Sequence, residues 1–231
     1  MSDQKTVMRE MLANAVHFGH KNSKWNPKVA PYIFTTKNGV HIFDLNKTYN
    51  GLMDACEFLT NAAAAGKIVL FVSTKQQSTE LLKQEAEKCG MPYVTKKWIP
   101  GLLTNFKTIR TRVKYLLKLQ EEKETGEFEK YTKKEASNFN KEIEKLENAL
   151  GGVVNLERMP DVVFVLDVCR DNIAIKEAQK MGVKVVAVVD SNANPDGIDY
   201  VIPGNDDAIK SINYLVTKLS EAIQSGRKTR K

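Results

Sequence analysis

Three short runs of almost unbroken apolar residues constrain this chain most: residues 68–72 (IVLFV), 162–166 (VVFVL) and 185–189 (VVAVV). A strand with one face in water alternates apolar and polar side chains, whereas a strand covered on both faces does not. The runs therefore predict central strands of a parallel sheet. Residues 40–44 form a fourth strand candidate, and the shorter stretches 93–94 and 200–202 are further ones. Between them lie helical patterns. Residues 74–89 carry Leu81, Leu82 and Ala86 and stop at Gly90 and Pro92; residues 171–181 carry Ile173, Ala174 and Ala178 and stop at Gly182. Glycine just past the last turn is an ordinary helix stop. Strand, helix and strand in alternation predict right-handed crossovers with helices on both faces, an α/β doubly wound sheet. A last helix is expected over 207–224, with Ile209, Ile212, Leu215, Val216, Leu219 and Ile223 on one stripe. Residues 225–231 after it are expected to be mobile.

Residues 104–150 break the alternation. They hold no strand signal but two helical seams, Phe106, Ile109, Val113, Leu116 and then Phe139, Ile143, Leu146, Leu150, separated by a polar stretch. Thr132 and Glu135 make a T-x-x-E helix start within it. Two heptad-like seams joined by a turn predict an antiparallel coiled-coil hairpin inserted in the sheet domain. The expected domains are an α/β body (1–103 and 151–225), a protruding hairpin (104–150) and a basic tail (226–231).

Charge separates along the same lines. The chain is net +7. Lys96, Lys97, Lys107, Arg110, Arg112, Lys114 and Lys118 follow one another with no acid among them; Lys21, Lys24, Lys28 and Lys37 do the same between Glu10 and Asp44. Arg227, Lys228, Arg230 and Lys231 close the chain. These segments carry more than the whole net charge, so the remainder is acidic. Such clustering is the electrostatic footprint expected for a nucleic-acid partner. No stretch approaches the ~18 apolar residues of a membrane helix, and the polar start MSDQKTVMRE has no signal-peptide core. A cytoplasmic protein without a membrane partner is expected. Cys56, Cys89 and Cys169 are too far apart for a CxxC site and are expected to be buried thiols.

An α/β sheet invites a catalytic reading, which the turns must support. The turn after residues 68–72 reads Ser73-Thr74-Lys75-Gln76-Gln77, without the glycines a phosphate loop needs. G-x-S-x-G is absent as well. Acids do follow the strands: Asp167, Asp190 and Asp206 stand at the carboxyl edge, where His17 and His20 of HFGH can join them. Asp206 or Asp207 also suits the cap of the last helix. His20, Asp190 and Asp206 together make a candidate mixed nitrogen and oxygen site for zinc or another divalent metal, manganese included. An enzyme with a carboxylate–histidine site and a free-standing RNA-binding regulator stay open beside a purely structural role.

The stretch HFGH, then Trp25-Asn26-Pro27-Lys28, Pro31-Tyr32-Ile33-Phe34 and Asn38-Gly39-Val40-His41-Ile42-Phe43-Asp44-Leu45, resembles the start of bacterial small-subunit ribosomal protein two. Leu103-Thr104-Asn105-Phe106-Lys107-Thr108-Ile109, Leu150-Gly151-Gly152, Pro160-Asp161-Val162, Ala174-Ile175-Lys176-Glu177-Ala178, Asn194-Pro195-Asp196-Gly197 and Ile202-Pro203-Gly204-Asn205-Asp206-Asp207 are similar to that family's later blocks, in order. The resemblance implies a flavodoxin-like sheet with the inserted hairpin and no enzymatic activity, required cofactor or small-molecule substrate. It also implies a place at the head–body junction of the small subunit, binding ribosomal RNA, contacting neighbouring ribosomal proteins and helping anchor ribosomal protein one. The RNA contacts expected are Lys107, Arg110, Arg112 and Lys114, then Lys21, Lys24 and Lys28, with Lys96 and Lys97. Trp25, Tyr32, Trp98 and Phe106 lie among them, either to stack on bases or to pack. Pro100, ahead of Gly101, departs from the family pattern and is expected to stiffen the approach to the hairpin.

Overall fold

In the computed structural model, which describes residues 2–229, the chain opens with helix α1 (Ser2–Ala13) and a small antiparallel sheet of β1 (Phe18–Lys21), β2 (Ile33–Lys37) and β3 (Val40–Phe43), in the order β1-β3-β2. The run at 40–44 is thus a strand, but outside the main sheet. Helix α2 (Leu45–Ala64) follows, started by Asp44, whose side chain accepts from the Asn46 amide at 2.9 Å. Its buried stripe is Thr48, Leu52, Ala55, Leu59 and Ala62, a 4–3–4–3 spacing that keeps one helical face inward. Three of these five are alanine or threonine, so the stripe is faint as hydrophobic periodicity.

The main sheet is built from β4 (Val69–Val72), β5 (Tyr93–Val94), β6 (Val162–Val165), β7 (Lys184–Val189) and β8 (Tyr200–Pro203). Its order is β5-β4-β6-β7-β8, all parallel. Counted along the chain this is 2-1-3-4-5, the flavodoxin-like order. Each apolar run is shared between two cores. Leu70, Val72, Val163, Val165, Val185, Ala187 and Val189 face one layer, and Val69, Phe71, Val162, Phe164, Val186 and Val188 the other. The second layer is closed by α1, α2, α3 (Thr79–Lys88) and α7 (Ile209–Thr229). The first is closed by α6 (Asn172–Met181), the root of the helical insertion and the loop around Val29.

The insertion consists of α4 (Phe106–Glu124) and α5 (Lys133–Leu150). They run antiparallel, as the Gln120–Glu147 hydrogen bond (3.1 Å) and the stacked Phe128–Phe139 rings (5.2 Å) require. Val113, Leu116, Ile143 and Leu150 of the two expected seams are buried. Thr132 and Glu135 form the expected capping box, satisfying two otherwise orphaned amides at the start of α5.

Two boundaries differ from the sequence reading. Helix α3 begins at Thr79 rather than at 74, because residues 73–78 are held elsewhere: Ser73 pairs with Ser78 through their hydroxyls (2.7 Å), and Thr74 bonds Asp171. At the other end α7 continues to Thr229, so residues 225–229 are helix and not a loose tail. Arg227 donates to the Cys89 carbonyl, and Gly226 packs so closely on α2 that a Cβ would collide with the Thr60 carbonyl. Arg230 and Lys231 lie outside the described residues. Gly226→Ala must separate α2 from α7. We expect it to lower stability by about 1–3 kcal/mol, read as a fall in thermal midpoint of several degrees.

Candidate nucleic-acid interface

The root of the hairpin is organised by a residue that sequence patterns hide. Glu177, on the inward face of α6, is only 8% exposed. Its carboxylate accepts from the Trp98 indole (3.0 Å), the amides of Gly101 (2.7 Å), Leu103 (3.0 Å) and Thr104 (3.1 Å), and the Thr104 hydroxyl (3.1 Å). Burial pushes this carboxyl up, but the donors outweigh burial and hold it below the usual glutamate range. A negative charge thus pins the loop that launches α4. Gly101, at φ +92°, supplies the left-handed turn in that loop. Trp98 is buried and spent on this contact and on packing, so it presents no face to a base; Phe106 is half-buried.

The basic residues stand around this root. Lys96, Lys97, Lys107, Arg112 and Lys114 are exposed, as are Lys21, Lys24 and Lys28 of the N-terminal segment. Arg110 differs: it is half-buried and donates to the Val154 carbonyl at 3.0 Å, which ties α4 to the chain leaving α5. Residues two apart on a helix point about 200° apart, so Arg110 and Arg112 flank opposite sides of the α4–α5 seam. Lys28 also differs, being ion-paired with Asp196. The two basic groups are held by different parts of the body: the Asn26 amide of the N-terminal segment donates to the Ser191 carbonyl after β7 at 2.7 Å. Glu177 holds the hairpin root, while Asn26, ahead of Lys28, lines a cleft with Asn172, Ile175, Lys176 and Gln179 of the same helix.

The acids of the carboxyl edge converge elsewhere. Lys75 projects into them: its ammonium lies 2.9 Å from Asp206, 2.6 Å from Asp207 and 3.5 Å from Asp167. His20 bridges Asp190 through Nδ1 (3.0 Å) and Asp207 through Nε2 (3.1 Å). Burial, with Asp190 and Asp167 beside it, pushes the Asp206 carboxyl up to about 7. The bond to Asp190 raises His20 against its burial. Lys75 is raised too, because its three carboxylate neighbours outweigh its burial. His20 amide bonds to Ser191 (2.8 Å) and Asp190 (3.2 Å) complete the attachment of the N-terminal segment to the sheet.

The expected cap at Asp206 is a correction. Neither Asp206 nor Asp207 caps α7: Asn205 closes the turn just ahead of the helix, accepting from the amides of Asp207 (2.8 Å) and Ala208 (3.0 Å), and both aspartates meet Lys75. His17 does not join the acids; its ring lies tilted against Phe18 at 4.1 Å, and its Nδ1 is buried without a partner. Cys169 is exposed rather than buried, since it sits in the loop after β6. Lys75 had no signal beyond its place after a strand.

The sequence profile of the ribosomal protein S2 family matches residues 11–226. The chain belongs to this family. It is 48% identical over 223 residues to the small ribosomal subunit protein uS2 of Roseiflexus castenholzii, covering 96% of this chain and 85% of that one. It is 49% identical over 218 residues to the uS2 of Francisella philomiragia, covering 94% and 91%. The uS2 of Francisella tularensis subsp. novicida is 48% identical over the same length. Ribosomal protein S2 is a structural, non-enzymatic component of the small subunit, so this chain works in translation, on the ribosome in the cytoplasm, with ribosomal RNA and ribosomal proteins as partners. No helix among the described residues is long and apolar enough to cross a membrane.

Proposed function

We propose that this protein binds small-subunit ribosomal RNA at the head–body junction through two basic surfaces, and that it helps anchor ribosomal protein one. The hairpin root contributes Lys96, Lys97, Lys107, Arg112 and Lys114, and the N-terminal segment contributes Lys21 and Lys24. The observation that carries this reading is that these side chains are exposed and that none of them is held in an ion pair among the described residues. Cations held by the fold's own acids have little left for phosphate; these are free to displace counterions from it. Lys28 and Arg110 are lesser contributors, because the fold already uses them. The helical pair 104–150 acts as an arm distinct from the body of 1–103 and 151–225, with the basic residues at the end of α7 and after it adding charge. Sedimentation of cell lysate tests the reading. Near-stoichiometric co-migration with small subunits is expected, and a chain found mainly in the free fraction would overturn it.

A divalent cation at the carboxyl edge is a second reading, favoured by the convergence of His20, Asp190 and Asp206, whose ligand atoms lie within 4.8 Å of one another. Zinc bonds of about 2.0–2.2 Å require these atoms to draw closer, and Lys75 must give up Asp206. Imidazole and carboxylates suit zinc or manganese. Elemental analysis of protein purified without chelator is expected to find either metal near one equivalent; none bound would end this reading.

A further inference from the structure

The hairpin root contains a cleft of about 580 Å³ on the Arg112 side of the α4–α5 seam, away from Arg110. Ile99, Pro100 and Ile109 give it an apolar floor, and Arg112, Lys141 and Lys145 stand at its rim. Three cations there face one carboxylate, Glu142. The ion pairs of the hairpin, Lys118–Glu122 and Lys130–Glu127, do not include the rim cations. Lys141 and Lys145 are four residues apart on α5, a like-charge spacing that weakens a helix by itself. An arginine from the facing helix is added to the same spot. An anion bound there would relieve that repulsion.

Apolar floor and cationic rim together suit one nucleotide better than a bare phosphate. The volume lies within the usual range for small-ligand clefts. Unpaired RNA bases are recognised by stacking on aromatic or guanidinium planes while cations hold the backbone; here Arg112 offers the guanidinium and the Ile99–Pro100–Ile109 floor an apolar face. Asn105 completes the set: its side-chain oxygen accepts from the Thr108 hydroxyl at 2.8 Å, which leaves its amide hydrogens for a base edge.

We propose that this cleft receives a single unpaired nucleotide of RNA, its base on the Ile99–Pro100–Ile109 floor and its phosphates at Arg112, Lys141 and Lys145. The proposal rests on the RNA-binding reading above and gives it a structural preference, for a bulge over a continuous helix.

The test uses the full chain and two hairpin RNAs, identical except that one carries a single bulged 2-aminopurine nucleotide. Binding to the bulged RNA is expected to be roughly tenfold tighter at matched salt, with a change in 2-aminopurine emission. Replacing Lys141 and Lys145, both exposed, by alanine is expected to remove the preference and the emission change while sparing affinity for the paired hairpin. Equal binding of both RNAs by the unaltered protein would overturn the proposal and leave general RNA binding intact. Parallel weakening on both RNAs in the double variant would also overturn it, showing the lysines to be unspecific. Binding of neither RNA would remove the RNA-binding reading along with it. Tight rim-dependent capture of an acidic peptide instead of either RNA would reassign the cleft to a protein.

Discussion

Glu177→Ala is expected to lower the stability of this protein by about 3–5 kcal/mol, because it strands a set of donors at once. The Trp98 indole, three backbone amides and the Thr104 hydroxyl all converge on this carboxylate. A buried donor left without a partner costs about 1–3 kcal/mol, and neighbouring losses do not add fully. The thermal midpoint is expected to fall by roughly 10 °C, with hydrogen exchange accelerating first at residues 98–104. Glu177→Gln should be milder, since it keeps one acceptor oxygen but turns an NH₂ toward the amides. The pH dependence separates charge from shape. The folded carboxyl titrates below its ordinary value of 4.5, so its stabilisation is complete above that pH and is lost as pH falls through the folded value. The gap between wild type and Glu177→Gln should therefore narrow in acid. A gap constant from pH 7 to pH 3 would mean that the charge contributes nothing.

Replacing Lys21, Lys24, Lys107 and Lys114 together by alanine should weaken binding to small-subunit ribosomal RNA on the order of a hundredfold near 0.1 M salt. Each lost phosphate contact reduces the slope of log affinity against log salt by about 0.7–0.9, so the four together should flatten it by roughly 3. Fluorescence anisotropy over a salt series reads both quantities. Lys28→Ala makes the contrast: its ammonium is ion-paired with Asp196, and its loss should leave the slope nearly unchanged. Arg110→Ala should instead lower stability, through the lost bond to Val154. An unchanged slope in the fourfold variant would move the RNA-binding surface elsewhere.

Legibility in the sequence follows the strength of each physical signal. The three apolar runs and their crossover helices are written in burial on both faces, and they reappear as β4, β6 and β7 with α3 and α6. The two seams of the hairpin are equally plain. Helix α2 escaped because alanine and threonine fill much of its buried stripe, and β1 and β2 because exposed strands lack an apolar pattern. At the carboxyl edge, topology alone places Asp167, Asp190 and Asp206 together, but it does not reveal that Lys75 supplies their counter-charge. Glu177 is the sharpest case. Within the helix it occupies an inward position that looks like a break in the apolar stripe, and its five donors lie more than seventy residues earlier in the chain. Only the folded loop explains the charge.

The order of strands also sets how the chain must assemble. The central pair, β4 and β6, joins neighbours 93 residues apart, as the bond from the Ile68 amide to Asp161 shows. Closing a loop of that size carries an entropic cost that grows with its length, and sheets with distant pairings fold slowly. Nearly half of that excursion is α4, α5 and the turn between them, which meet through local contacts and a capped helix start. Once the hairpin zips, its two ends arrive side by side and the span left to close is much shorter. In a chain made from its N-terminus, the same helical pair that is proposed to meet RNA is expected to act earlier, as the clasp that draws the two halves of the sheet together.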